Sequence, residues 1–159
     1  MNKQRLSFVL FALFITAFLI SHYWFQLVLI QGSSMTPAYR SWQLAVICKQ
    51  SYQYESGAVI AFRCETLNAV LIKRIVACPG DTVQIKDGML YVNGRVGQEA
   101  TPSYFNINYA GIAQAPLTLS SDEYFVLGDN SEESVDSRHT EVGCVSKEDI
   151  IGMIIPQLP

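Results

Sequence analysis

Residues 70–94 read VLIKRIVACPGDTVQIKDGMLYVNG, and their reading decides the fold class. Val70 to Val76, Thr82 to Ile85 and Met89 to Val92 are short runs rich in valine, isoleucine and leucine. Runs of this kind bounded by turn residues read as strands. Between the last two sits Lys86-Asp87-Gly88, and Asp-Gly supplies the positive φ that a tight turn between antiparallel strands demands. Asn93-Gly94 marks the next turn. Outward from this segment, Leu44 to Cys48, Ala58 to Phe62 and Tyr124 to Leu127 are further strands, and Ile150 to Ile155 is a last one, closed by Pro156. Residues 96–121 are broken by Pro102, Gly111 and Pro116 and read as an irregular excursion or a long hairpin. No long amphipathic helix is legible after residue 30. The expected domain is mainly β, antiparallel and partly closed, with a short helical turn after Ser34.

The run through residue 73 carries a conflict. In a strand, Lys73 shares a face with Leu71 and Ile75, while Arg74 shares the other with Ile72 and Val76. Either one basic side chain points toward a buried face, or the strand lies at an edge with two solvated cations. A buried lysine loses its preference for charge, because desolvation disfavours the ammonium. A neutral amine near pH 7 is a general base.

The apolar residues are unevenly spread. The chain has 159 residues, of which 50% are apolar and 16% charged. From Leu6 to Ile30, 20 of 25 positions are apolar and none is charged. That exceeds the ~20 residues needed to cross a bilayer core as a helix. Outside it the apolar share falls to about 45%, ordinary for one globular domain. Lys3 and Arg5 precede the run, and Tyr23, Trp24 and Phe25 sit near its far end. Basic residues favour the cytoplasmic side and aromatic rings the headgroup level. A cleavable leader should end in small residues, but Ser21-His22-Tyr23-Trp24-Phe25 offers no such site. The organisation expected is a cytoplasmic tail at 1–5, a retained anchor at 6–30 and an extracytoplasmic domain at 31–159.

Disorder, a coiled coil and a polytopic membrane protein are excluded by this composition. A nucleic-acid partner is disfavoured by the net charge of −3. All four cysteines (Cys48, Cys64, Cys78 and Cys144) follow the anchor. An even count in an exported domain favours disulfides, with buried free thiols as the alternative. Their spacing does not suggest zinc, so no metal is expected.

Two more stretches carry chemistry. Gly32-Ser33-Ser34-Met35-Thr36-Pro37 places serines in a turn just past the anchor. Gly128-Asp129-Asn130-Ser131-Glu132-Glu133-Ser134-Val135-Asp136-Ser137-Arg138-His139 is a polar loop in which Asp136 and Arg138 can pair. Taken in order, S-M-x-P at Ser34–Pro37, K-R-x-x-x-x-P-G-D at Lys73–Asp81 and G-D-N-x-x-x-S-x-D-S-R at Gly128–Arg138 resemble the three boxes of the type I signal peptidases (leader peptidases). These are membrane-bound serine proteases with a Ser/Lys dyad. The resemblance spans the anchor and nearly all of the domain.

The resemblance implies that Ser34 is the nucleophile and Lys73 the general base. It implies that Ser134 orients the lysine, and that Asp129, Asp136 and Arg138 hold the loop around the site. The backbone N–H of Ser34 serves the oxyanion, and Gly32, Ser33 and Met35 line the substrate side. Some members carry a serine oxyanion donor two residues before the nucleophile; here that position is Gly32. No cofactor is implied. The implied partners are exported preproteins with small residues at −1 and −3, membrane lipid, and the nearby secretion or transfer machinery. The implied location is the outer, periplasmic face of a bacterial plasma membrane. A dedicated peptidase maturing conjugative pilin or transfer-system subunits is the alternative within the same chemistry, and a silent anchored β-domain the alternative outside it. A Ser-His-Asp triad needs His139, which lies only three residues from Asp136 in one loop, a poor arrangement for orienting the ring.

Overall fold

The structure is a computed structural model and describes residues 3–50, 53–96 and 107–155. Pro156, the first two residues of the tail and residues 97–106 of the excursion lie outside the described residues.

The chain opens with α1 (Lys3–Trp24), a helix of 22 residues. Its phenylalanines and leucines are exposed on every side, and it is long and apolar enough to cross a membrane. The apolar run does not continue as helix to Ile30. At Phe25 it becomes strand β1 (Phe25–Leu29), paired antiparallel with β2 (Leu44–Cys48) from Phe25↔Cys48 to Leu29↔Leu44. Hydrophobicity alone does not separate a membrane helix from the strand that follows it. The backbone groups of β2 capture Phe25–Leu29, and Lys49 N–H donates to Trp24 O at 2.9 Å.

Beyond β2 come β3 (Val59–Cys64), β4 (Ala69–Ala77), β5 (Thr82–Lys86), β6 (Met89–Val92), β7 (Arg95–Val96), β8 (Leu117–Thr118), β9 (Glu123–Leu127), β10 (Val145–Ser146) and β11 (Ile150–Ile154). They form a seven-stranded sheet in the order β1-β2-β11-β3-β4-β9-β10 and a four-stranded one in the order β7-β6-β5-β8. Every pairing is antiparallel. The mainly antiparallel β class is as the sequence implies. Partial closure is not: neither sheet closes on itself, and both end in edge strands. The two hairpins of residues 82–96 turn where the sequence places them. Asp87 and Gly88 have φ of 52° and 75°, Asn93 and Gly94 of 53° and 74°, which suits type I′ turns matched to strand twist. Within the excursion, residues 117 and 118 add a strand to β5, and Gly111–Ala113 form a single 3-10 turn.

β4 is the strand on which the site depends. It lies between β3 and β9, with Lys73 opposite Ile60 and Arg74 opposite both Val59 and Leu127. Ile72 packs against a core group containing Val59, Ala61 and Met35. Leu71 and Ile75 pack in another with Ile60, Phe62 and Tyr54. The edge-strand alternative is therefore overturned, since β4 is covered on both faces and both of its cations meet the interior. A third core group, with Val83, Ile85, Phe125 and Leu127, ties β5 to β9.

All four cysteines are free, so the expected disulfides do not form. Cys64 Sγ donates instead to Glu141 O at 3.4 Å and Cys78 Sγ to Tyr54 O at 3.7 Å.

Candidate active site

Three pieces of chain converge at the middle of β4. The first is the turn at Ser33–Tyr39, where Tyr39 N–H donates to Met35 O at 2.8 Å, closing one helical turn. Met35 is buried and anchors the turn in the core group around Ile47 and Ala61. Ser34, just before it, is held at the surface of that core. The second piece is Lys73, only 4% exposed. Its Nζ donates to Ser34 Oγ at 2.8 Å. Burial is the largest influence on this lysine and pushes its pKa down from 10.5 to about 8. Asp136 and Asp129 pull it back up, and Arg138 pushes it down further.

The third piece is the loop after β9. Gly128 enters it with no room for a side chain, since a Cβ there would stand 2.6 Å from Ser34 O and against the Ser134 side chain. Asn130 N–H donates to Ser34 O at 2.9 Å, so the loop and the Ser34 turn share a backbone bond. Asp136 and Arg138 form a buried fork, Nε to Oδ1 at 2.7 Å and Nη2 to Oδ2 at 2.9 Å. The second oxygen also accepts from Gly128 N–H at 3.0 Å. Arg138 donates further to the carbonyls of Ser131, Ser134 and Tyr109, which fastens the loop from within. A pair so thoroughly hydrogen-bonded is what makes buried charge tolerable.

Of the residues singled out in the sequence, Ser34, Lys73, Asp129, Asp136, Arg138 and Met35 come together at this place. Ser134 is buried beside Gly128, but its Oγ has no hydrogen-bond partner among the described residues, so no bond to Lys73 is formed. Gly32 is exposed, with φ of 92°, and its N–H donates to Ser41 Oγ at 3.1 Å. The Ser33 hydroxyl donates to Glu133 Oε2 and is thereby turned to the loop. His139 takes no part in a triad with Asp136, whose carboxylate is committed to Arg138. Its Nδ1 accepts from Asp136 N–H at 3.4 Å and its ring lies 5.0 Å from that of Tyr109.

Arg74 was not singled out for the site, yet it belongs there. It donates to both carboxylate oxygens of Asp129, at 2.7 and 2.6 Å, and to Gly57 O at 2.7 Å. The signal was present in the sequence: an arginine on the second face of a covered strand needs a carboxylate, and Asp129 stands at the start of the polar loop that follows the Tyr124–Leu127 run. No group of three metal-ligating side chains occurs among the described residues.

A profile described as signal peptidase, peptidase S26, matches residues 3–156. The chain belongs to this signal peptidase family. Signal peptidase I P of Bacillus subtilis subsp. natto is 32% identical over 148 residues, covering 87% of this chain and 78% of the relative. Signal peptidase I of Bacillus licheniformis is 30% identical over 162 residues, covering 94% and 82%. The crystal structure of a signal peptidase I from Enterococcus faecalis V583 superposes with a TM-score of 0.51 at 27% identity, covering 65% of this chain and 97% of the other. The function is that of a signal peptidase I-like hydrolase of a membrane-associated family, and α1 is the one helix among the described residues long and apolar enough to cross a membrane. The dedicated pilin-maturing alternative finds no support among these relatives.

Proposed function

We propose that the protein is a membrane-anchored serine endopeptidase that removes leader peptides from exported preproteins, with Ser34 as nucleophile and Lys73 as general base. The observation that carries this reading is the 2.8 Å contact between Lys73 Nζ and Ser34 Oγ around a lysine whose pKa is pushed down to about 8 by burial. The neutral form of this lysine, a minor but accessible fraction near pH 7, accepts the Ser34 proton as Oγ attacks the scissile carbonyl. The ammonium so formed returns that proton to the leaving amine, releasing the mature chain and leaving an acyl-enzyme. Lys73 then takes a proton from water, whose oxygen attacks the ester. Collapse of the second tetrahedral intermediate expels Ser34 Oγ, which takes that proton back from Lys73, and releases the leader peptide as its carboxylate. The backbone N–H of Ser34 serves the oxyanion. Asp129 with Arg74, and Asp136 with Arg138, hold the strand and the loop on either side of this exchange. The pockets accept small residues at −1 and −3, following the family resemblance.

The proposed setting is the outer face of a bacterial plasma membrane, with Lys3 and Arg5 on the cytoplasmic side. Lipid contact is supported by apolar side chains exposed along β1, at the start of β2 and in the turn before it: Leu27 is 66% exposed, Leu44 54% and Trp42 71%. Substrates emerging from the secretion machinery would meet the site close to the bilayer.

Substitution tests the dyad. Purified Ser34→Ala and Lys73→Met should leave a preprotein uncleaved. Lys73→Arg should do the same, because a guanidinium does not deprotonate. Cleavage at a normal rate by any of the three removes the assignment.

A further inference from the structure

The Ser33 hydroxyl donates to Glu133 Oε2 across 100 positions of sequence. It is the second point at which the Ser34 turn is fastened to the loop, the first being Asn130 N–H on Ser34 O at 2.9 Å. The two contacts flank the nucleophile. One fixes the peptide plane that follows Ser34, and the other fixes the residue that precedes it. Thr36 N–H also donates to Ser33 O at 3.0 Å, so residue 33 is held by its backbone as well as by its side chain. With both neighbours held, the backbone angles of Ser34 are restricted, which places its Cβ so that one χ1 well brings Oγ within 2.8 Å of Lys73 Nζ. Glu133 itself is exposed, while the next residue, Ser134, is buried against Gly128. An ionised acceptor strengthens such a bond relative to a neutral one, and small displacements of a reacting atom cost large factors in rate.

We propose that Glu133 is a positioning residue: through Ser33 it holds the nucleophile turn against the 128–139 loop and aims Ser34 Oγ at Lys73. A consequence is that the Ser33 proton is committed to Glu133, so the Ser33 hydroxyl does not serve the oxyanion. The inference rests on the reading of Ser34 as nucleophile and goes beyond it by giving a role to two residues outside the dyad.

The test measures kcat and KM on a preprotein for the full-length protein in detergent, carrying Glu133→Ala, Ser33→Ala, both, or Glu133→Gln. Each alanine variant should lower kcat about five- to tenfold, with KM within about twofold of wild type. The double variant should be no slower than either single one, since all three lose the same contact. Glu133→Gln should recover most of the rate, because an amide oxygen accepts the same bond. Effects that multiply in the double variant overturn the proposal, as does a Glu133→Ala kcat within about twofold of wild type. A loss confined to KM also overturns it, placing Glu133 against substrate. A Ser33→Ala variant far slower than Glu133→Ala does so too, by returning the Ser33 hydroxyl to the oxyanion. If Ser34→Ala retains cleavage, it is the nucleophile assignment that fails, so the two ideas separate.

Discussion

Lys73 Nζ lies 2.8 Å from Ser34 Oγ, although the two residues are 39 positions apart and belong to different kinds of structure. The lysine sits mid-strand in β4, opposite Ile60 of β3, and the next residue, Arg74, begins the pairing with β9. The serine sits in a loop whose position depends on a buried methionine and one backbone bond from the 128–139 loop. On the proposed assignment, a base held in a strand therefore faces a nucleophile that is only as well placed as its loop contacts make it.

The rate should follow deprotonation of Lys73. With a pKa of about 8, roughly a tenth of the lysine is neutral at pH 7 and roughly nine-tenths at pH 9. Steady-state kcat/KM on a preprotein should rise about tenfold over that interval, with a midpoint near pH 8. A profile flat from pH 6 to 10 contradicts a lysine base.

The same burial makes Lys73 a cost to the fold. Its pKa falls from 10.5 to about 8, so below the lower value both folded and unfolded chains hold the proton and the fold carries the whole desolvation penalty. Between the two values the unfolded chain holds a proton that the folded one lacks, so stability rises with pH. Lys73→Met should therefore be inactive yet more stable than wild type at pH 7, by about 2 kcal/mol once the lost Ser34 contact is counted. The advantage should shrink toward pH 10, as read by urea denaturation of the protein in detergent.

These two outcomes concern residues that were legible in the sequence for a physical reason. A lysine inside a run of valine and isoleucine conflicts with burial, and a conflict of that kind marks function. Seven strands were legible within one or two residues from apolar runs between turn residues, and the Asp87-Gly88 and Asn93-Gly94 turns from their need for positive φ. What escaped were elements defined by a partner. β1 was hidden in the anchor because Phe25–Leu29 is as apolar as the helix before it, and only pairing with β2 makes it a strand. β7, β8 and β10 have two residues each, too few for any period to register. Within the site, the Arg74 fork on Asp129 and the Ser33 bond to Glu133 join residues 55 and 100 positions apart, and no local pattern encodes such a pairing.

The loop should be the stability-critical part of the site. Arg138 is 1% exposed and binds both oxygens of Asp136, whose side chain is inaccessible. Arg138→Ala leaves that carboxylate buried and unpaired, a loss of about 3–5 kcal/mol. Three main-chain carbonyls lose a donor as well. A thermal melt should show a large fall, and Arg138→Lys should land between, since an ammonium cannot grip both oxygens at once.

Gly128→Ala tests the approach of loop to nucleophile from the other direction. The added Cβ would stand 2.6 Å from Ser34 O, nearer than real Cβ atoms come to any atom, and would press on Ser134. Either the loop or the Ser34 turn must move. Because a misplacement of about an ångström can cost about a hundredfold in rate, kcat should fall by that order, while the melting temperature drops only by a few degrees. Activity near wild type would show that the dyad tolerates displacement of its loop.

Ser134→Ala separates a structural role from a catalytic one. The Ser134 hydroxyl is buried, packed at Gly128 beside the nucleophile's carbonyl, and without a hydrogen-bond partner among the described residues. A hydroxyl taken from water and left unbonded opposes folding, so its removal should leave stability unchanged or raise it by about 1 kcal/mol. A group that contributes nothing to the resting fold is the one available when the Lys73 ammonium, having taken the Ser34 proton, needs an oxygen other than the acyl ester to donate to. If Ser134 serves in that way, kcat should drop at least about tenfold in the alanine variant, with the melting temperature held. Ser134→Thr, which restores a hydroxyl, should recover part of the rate. A variant as fast as wild type assigns Ser134 no part in the reaction.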